Sequence, residues 1–343
     1  MGFVHVGRAT ALALGIGALL AATGPARAAF NDNKPITYNV DGATATGYFK
    51  VVTEALNGIV CETYPGSAAT YKPGSPAGGI QNIATGQSDF IFTGGAPEIA
   101  YALEGKAPFK QSLKGKFSFV MLLHNELVVT NLMTKEWADK NGIKSFQDIA
   151  SKKPQMRLAV NTLANLQSTL GMYIAIFDAY GIEANDVTGH GGSLFHGNTN
   201  SNLDALRDGK VDVMINGAFT PTAEITDVAR GRGLVWISGD PAKMKQAADR
   251  WGYGTTVVPK SAYPFMTKDE VTVTMWSAVL AGNHVSDETV YKFTKALVEH
   301  QDRVQKIHPS LAHFSPQTIS RNPTPLPYHP GAARFYREAG VLK

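Results

Sequence analysis

The chain is nearly without cysteine: Cys61 stands alone among 343 residues. One thiol cannot close an internal disulfide, so burial and hydrogen bonding must hold the fold. Cys61 follows "NGIV" at the end of an apolar helix pattern and reads as a buried structural thiol. Charge is sparse as well, at 17% of residues with a formal net of +4, and no Lys/Arg run stands out. That excludes a disordered polyelectrolyte and leaves no footprint for nucleic acid.

Reaction motifs are missing too. There is no G-x-S-x-G elbow, no Gly-rich nucleotide loop and no H-E-x-x-H. "HGGS" (His190–Ser193) is similar to an esterase oxyanion loop but has no nucleophile to serve. His308 and His313 lack further metal-ligand company and read as surface or capping histidines. No cofactor, no metal and no catalytic residue is expected, and the chain is read as a non-enzyme.

Long hydrophobic runs are absent. "ALALGIGALLAA" (Ala11–Ala22) is shorter than the ~20 residues a membrane span needs. With His5 and Arg8 before it and "ARA" (Ala26–Ala28) after it, residues 1–28 read as a secretory signal peptide. No cysteine lies near the cleavage point, so no lipid anchor is expected. A soluble, monomeric, periplasmic protein is the expectation.

What is present is a repetition. "SDFIFTGGAP" (Ser88–Pro97) and "VDVMINGAFTP" (Val211–Pro221) are introduced alike, by "IQNIATGQ" and "LDALRDGK". They align without a gap: Ile80 with Leu203, Gly86 with Gly209, Asp89 with Asp212, Gly94 with Gly217. Each copy predicts a helix, a Gly stop, a short buried strand, a Gly loop and another helix opened near Pro97 or Pro221. The preceding strands, "ITYNV" (Ile36–Val40) and "RLAV" (Arg157–Val160), also lead through polar loops into helices. "FSFVMLL" and "ELVVT" (Phe117–Thr130) and "VTVTMWSAVLAG" (Val271–Gly282) read as extended runs, and "GHGGSLFHGNTN" (Gly189–Asn200) as loop. The alternation implies an α/β fold with largely parallel sheets in two similar lobes.

In open α/β sheets ligands bind beyond the carboxyl ends of the strands. There the first half offers Thr44, Thr46, Gly47, Tyr48, Ser75, Thr93, Gly94 and Gly95. The second offers Asn161, Asn165, Gln167, Ser168, Asn216 and Gly217. Hydroxyls, amides, glycines and free N–H groups at helix starts suit a small, polar, anionic molecule. The same residues also suit plain helix caps and turns, and both readings stay open for each one. Asp89 and Asp212 open strands, where an aspartate caps a turn more readily than it acts as a base.

Three passages carry a resemblance: "GSPAGGIQNIATGQSDFIFTGG", "DALRDGKVDVMINGAFTPTAEI" and, most specifically, "PLPYHPGAARFYREAG" (Pro325–Gly340). From about Ile36 to Gly340 the chain resembles the TAXI proteins, the extracytoplasmic solute-binding subunits of TRAP transporters. The resemblance implies an α/β, two-lobed type II periplasmic-binding-protein fold with a ligand cleft between lobes. It implies delivery of an organic acid or amino acid to membrane subunits driven by an ion gradient. The pocket loops depart from the family pattern: "DGATATGYF" has less glycine than usual, "KPGS" (Lys72–Ser75) replaces a Thr-Gly-Gly-Ser type of loop, and "NTLANLQS" replaces a Gly-Ser-Gly one. Lys72 becomes either a carboxylate partner or a solvated surface lysine. The closing signature reads as a structural turn into a helix. The expected organisation is one lobe from residues 29–127 and 271–343 and the other from 128–270. A same-fold protein serving another transporter or a sensor kinase is the alternative, ahead of a secreted α/β enzyme.

Overall fold

Strand segments that are apolar on both faces belong inside covered sheets, and two such segments organise this molecule. The computed structural model describes residues 1–2, 30, 34–43, 45, 47–161 and 168–343. The signal-peptide reading falls outside them, as do Thr44, Thr46, Asn165 and Gln167. The chain separates into Met1–Asn31, almost wholly outside the described residues, and Asp32–Lys343, which carries every described strand and helix.

Among the described residues there are ten strands: β1 (Thr37–Asp41), β2 (Ala68–Lys72), β3 (Phe90–Gly94), β4 (Phe117–Thr134), β5 (Arg157–Asn161), β6 (Ser193–Gly197), β7 (Val213–Ala218), β8 (Leu234–Trp236), β9 (Gly254–Val258) and β10 (Glu270–Gly282). They form one sheet in the order β2-β1-β3-β10-β4-β7-β5-β6, with β8 on β4 and β9 on β10. The two outer trios are each parallel, β1 between β2 and β3, β5 between β6 and β7. Every pairing of β4 or β10 with another strand is antiparallel. The expectation of largely parallel sheets therefore holds only for the trios. A strand that leaves one half for the other has no crossover helix to bring it back in the same direction.

The repetition is real in space. Gly86 and Gly209 end their helices with φ of 77° and 71°, a left-handed conformation that favours glycine. Asp89 Oδ2 accepts the N–H of Asn39 on β1 at 2.7 Å. Asp212 Oδ2 likewise accepts the N–H of Arg157 on β5 at 3.3 Å and its Nε–H at 2.8 Å. Each aspartate pins the start of its strand to its neighbour, which is a structural task.

β4 runs for 18 residues, about 60 Å at the usual rise per residue. It reads as two apolar segments in the sequence because Asn125 is exposed and Glu126 and Leu127 half-buried in its middle. It pairs with β10 from Phe117 to Val128 and with β7 from Val128 to Met133. The register between β4 and β10 shifts on both sides of Ser277, the irregularity expected where a sheet bends. β6 corrects the loop reading of Gly189–Asn200: a short polar edge strand takes its hydrogen bonds from β5 and has little apolar pattern of its own.

Among the described residues the buried apolar side chains form one cluster in the first half, one in the second, and a larger one that runs through both, from Ile80 and Ile91 to Leu158 and Ile176. In the first, Tyr38, Phe90 and Phe293 pack ring against ring, with Tyr38–Phe90 and Phe90–Phe293 centroids 5.3 and 4.8 Å apart. Leu203, Met214, Ile225 and Trp236 belong to the second. Cys61 is half-buried rather than buried, because it sits on the rim of the helix Tyr48–Thr63. The closing signature is structural. His329 is buried, its N–H donates to Phe119 O at 2.8 Å and its Nδ1 accepts the N–H of Gly331 at 3.3 Å. A Cβ on Gly331 would collide with the carbonyl of Asp287, so glycine there lets the helices Pro330–Glu338 and Asp287–Glu299 touch.

Candidate functional site

Beyond the carboxyl ends of β1, β3, β5 and β7 the next helices in the chain are Tyr48–Thr63, Ala96–Glu104, Ser168–Tyr180 and Ala223–Arg232. Two contacts tie the first half to the second there, and a third cluster builds the second half's own strand ends.

The first joins Gly95 and Ser168. Ser168 Oγ donates to Glu98 Oε2 at 2.8 Å, and a Cβ on Gly95 would collide with that same Oγ. Pro97 lies over Gly171, where an added Cβ would come within 2.8 Å of its ring. Tyr253 closes the side, its hydroxyl accepting the N–H of Ala96 at 3.0 Å. Two helix starts therefore face one another with Glu98 beside them. Burial pushes the Glu98 carboxyl up to about 8, against the pull of the Ser168 hydrogen bond.

The second contact is aromatic. Phe219, just after β7, lies 4.4 Å from Tyr48 and 5.0 Å from both His124 and His308, ring centre to ring centre. The Tyr48 hydroxyl and Ser310 Oγ share a hydrogen bond of 2.8 Å. His124, from the middle of β4, is 4% exposed, and neither ring nitrogen has a hydrogen-bond partner among the described residues. Burial, helped by His308, lowers it to about 3, so its ring is neutral.

The third cluster lies within the second half. A Cβ on Gly217 would strike the methyl of Thr169, whose hydroxyl donates to Asn161 Oδ1. The Asn161 carbonyl meets His196 Nδ1 at 3.0 Å. Asn216 is buried, donating from Nδ2 to Thr199 Oγ1 at 2.8 Å and accepting Thr130 Oγ1 on its carbonyl at 2.9 Å.

The residues singled out in the sequence thus fall into groups. Gly95 and Ser168 meet directly. Tyr48, with Gly47 at its helix start in a positive-φ conformation, reaches the second half through Phe219. Asn161 and Gly217 meet through Thr169, and Asn216 stands next along β7. Ser75 is apart from them: its Oγ accepts the Gly78 N–H at 3.2 Å as a helix cap, in a loop whose Gly74 N–H donates to Ala43 O. Thr93 and Gly94 end β3. Lys72 donates to Gln87 O at 2.9 Å and Ser88 Oγ at 3.3 Å, so it ties two loops together. His308 caps its turn by accepting the Ser310 N–H at 3.1 Å, and His190 lies before β6, at the opposite ends of the strands.

Glu98, His124, Phe219 and Tyr253 were missed. Glu98 had a signal, since an acid on the same helix face as Ala102 is out of place in a core. Phe219 and His124 carry none, because they are drawn together by contact between distant segments. Among the described residues no group of three or more His, Cys, Asp or Glu could hold a metal ion.

Two parallel trios in one order, joined by antiparallel crossing strands, with their carboxyl ends opposed, define the two-lobed type II periplasmic-binding-protein fold. The chain belongs to the NMT1-like family, which it matches over residues 41–340. Solved structures agree on the fold. The periplasmic binding protein BugD is 14% identical, covering 89% of this chain and 94% of its own, with a TM-score of 0.53. PhnD1 from Prochlorococcus marinus (MIT 9301), in complex with methylphosphonate, is 10% identical, covering 90% of this chain and all of its own, with a TM-score of 0.55. Among the described residues no helix is long and apolar enough to cross a membrane.

Proposed function

We propose that this chain is the periplasmic solute-binding subunit of a TRAP-type transporter of the TAXI kind. It captures a small, polar, anionic organic acid or amino acid between lobes formed by residues 29–127 with 271–343 and by 128–270, and hands it to the membrane subunits. The resemblance of "PLPYHPGAARFYREAG" and of the two repeated clauses to that family supports the transporter class. The observation that carries the binding reading is the Ser168–Glu98 hydrogen bond of 2.8 Å, which brings two helix starts from opposite halves together. Free N–H groups at helix starts favour carboxylate oxygens.

In this reading the solute touches Thr44, Thr46, Gly47, Tyr48, Ser75, Thr93, Gly94 and Gly95 from one side. From the other it touches Asn161, Asn165, Gln167, Ser168, Asn216 and Gly217. Glycines 95 and 217 let Ser168 and Thr169 come close, and residues 1–28 direct export. A thermal-shift screen of dicarboxylates, oxo acids, amino acids and methylphosphonate tests it, because a ligand of the folded state alone must raise stability. A rise with an acid or amino acid supports the reading. A panel that leaves the melting temperature unchanged counts against it, and a rise with methylphosphonate alone moves the solute to another oxyanion class.

A further inference from the structure

Glu98 is a carboxylic acid in a place built for an apolar side chain. It is 0% exposed, on the same face of its helix as the fully buried Ala102. Oε2 accepts the Ser168 hydroxyl, but Oε1 is buried with no hydrogen-bond partner among the described residues. No cation is among the causes that set its protonation. Its surroundings are the Ser168 and Tyr253 hydroxyls, the Gly95 backbone and, further along the same wall, Trp251, which donates to Gly171 O at 3.2 Å and packs its ring on Tyr101.

A buried oxygen left unpaired costs more than a typical hydrogen bond contributes, so native proteins keep few without a use. At the start of its own helix the Ala96 N–H is taken by the Tyr253 hydroxyl and Pro97 has none, so donors for an anion are left to the start of the helix Ser168–Tyr180. What the spot lacks is a donor aimed at Oε1, and its position at the meeting of the halves leaves the solute to bring one.

We propose that Glu98 Oε1 receives the ammonium group of the solute, which makes the ligand an amino acid rather than a plain carboxylate. The inference rests on the solute-binding reading above and narrows it. The solute's carboxylate then faces the start of the helix Ser168–Tyr180 while its ammonium displaces the proton that burial keeps on the empty site's Glu98 carboxyl, so opposite charges are matched at both ends. Glu98 would be the residue that separates an amino acid from its deaminated counterpart. A site built to bond a particular polar group rejects analogues lacking it far more strongly than an apolar pocket rejects a missing methylene.

The test is a matched panel measured by thermal shift and calorimetry on the mature protein and on Glu98→Gln. Each L-amino acid is paired with the acids in which hydrogen or an oxo group replaces its amino group. The expected result is that at least one amino acid binds, its counterparts bind about 100-fold more weakly, and Glu98→Gln loses that preference while staying folded. Counterparts that bind as tightly as the amino acid, or a preference unchanged in Glu98→Gln, overturn the inference and leave the binding reading standing. A panel in which nothing binds overturns both. Should Glu98→Gln fail to fold, Glu98→Asp replaces it. Its shorter reach should weaken the amino acid about tenfold and spare the oxo acid; equal weakening of both overturns the inference.

Discussion

The ring of Phe219 sits 4.4 Å from the ring of Tyr48, although the two lie far apart in the chain. Tyr48 opens the helix after β1 and Phe219 follows β7, so one contact joins corresponding ends of the two halves. Such a pair contributes about 0.5–1.5 kcal/mol beyond the area it buries. Phe219→Ala should lower the unfolding free energy by about 1–2 kcal/mol in urea titration and weaken solute binding. An unchanged midpoint would mean the rings only lie side by side.

The pH dependence of stability follows from two buried groups of opposite sign. Glu98 is raised from 4.5 to about 8, so the native state holds a proton that the unfolded chain has lost. Its contribution is present below about pH 4.5 and is lost as pH rises through 8. His124 is lowered from 6.5 to about 3, so its contribution is present above 6.5 and is lost as pH falls through 3. The two oppose one another between 4.5 and 6.5. Between pH 6.5 and 8 Glu98 acts without that opposition, and stability should fall by about 2 kcal/mol. Urea unfolding across this window should show the fall in the wild type and its absence in Glu98→Gln; equal slopes would contradict the assignment.

Asp89 and Asp212 should behave as structural residues. Asp89→Ala removes the acceptor for the Asn39 N–H and should cost about 1–3 kcal/mol of stability. Solute affinity, measured on the folded fraction, should be unchanged. A variant of normal stability that no longer binds would move Asp89 into the site.

Gly331→Ala forces a methyl group into the carbonyl of Asp287. A loss of about 1–3 kcal/mol is expected from overpacking, read as a lower melting temperature. A neutral substitution would show that the two C-terminal helices can slide apart without cost.

How far the sequence discloses this molecule depends on how local each cause is. Gly86 and Gly209, with Asp89 and Asp212 three residues on, act within a few positions, so the doubled βα unit was legible. The continuity of β4 was not, because Asn125 and Glu126 interrupt its apolar run where the strand passes between the halves. The meeting of Gly95 and Ser168 could be anticipated from the strand–loop–helix order. Burial of Glu98 and His124 could not, since each is covered by segments far away in the chain: Ser168 and Tyr253 over one, Phe219 and His308 over the other.

The central claim is that two lobes close on a small solute. Small-angle scattering of the protein, alone and with a saturating amount of the tightest-binding member of the acid and amino-acid panel, tests it most directly. A smaller radius of gyration with the solute is the predicted result. An unchanged radius at full occupancy would contradict it.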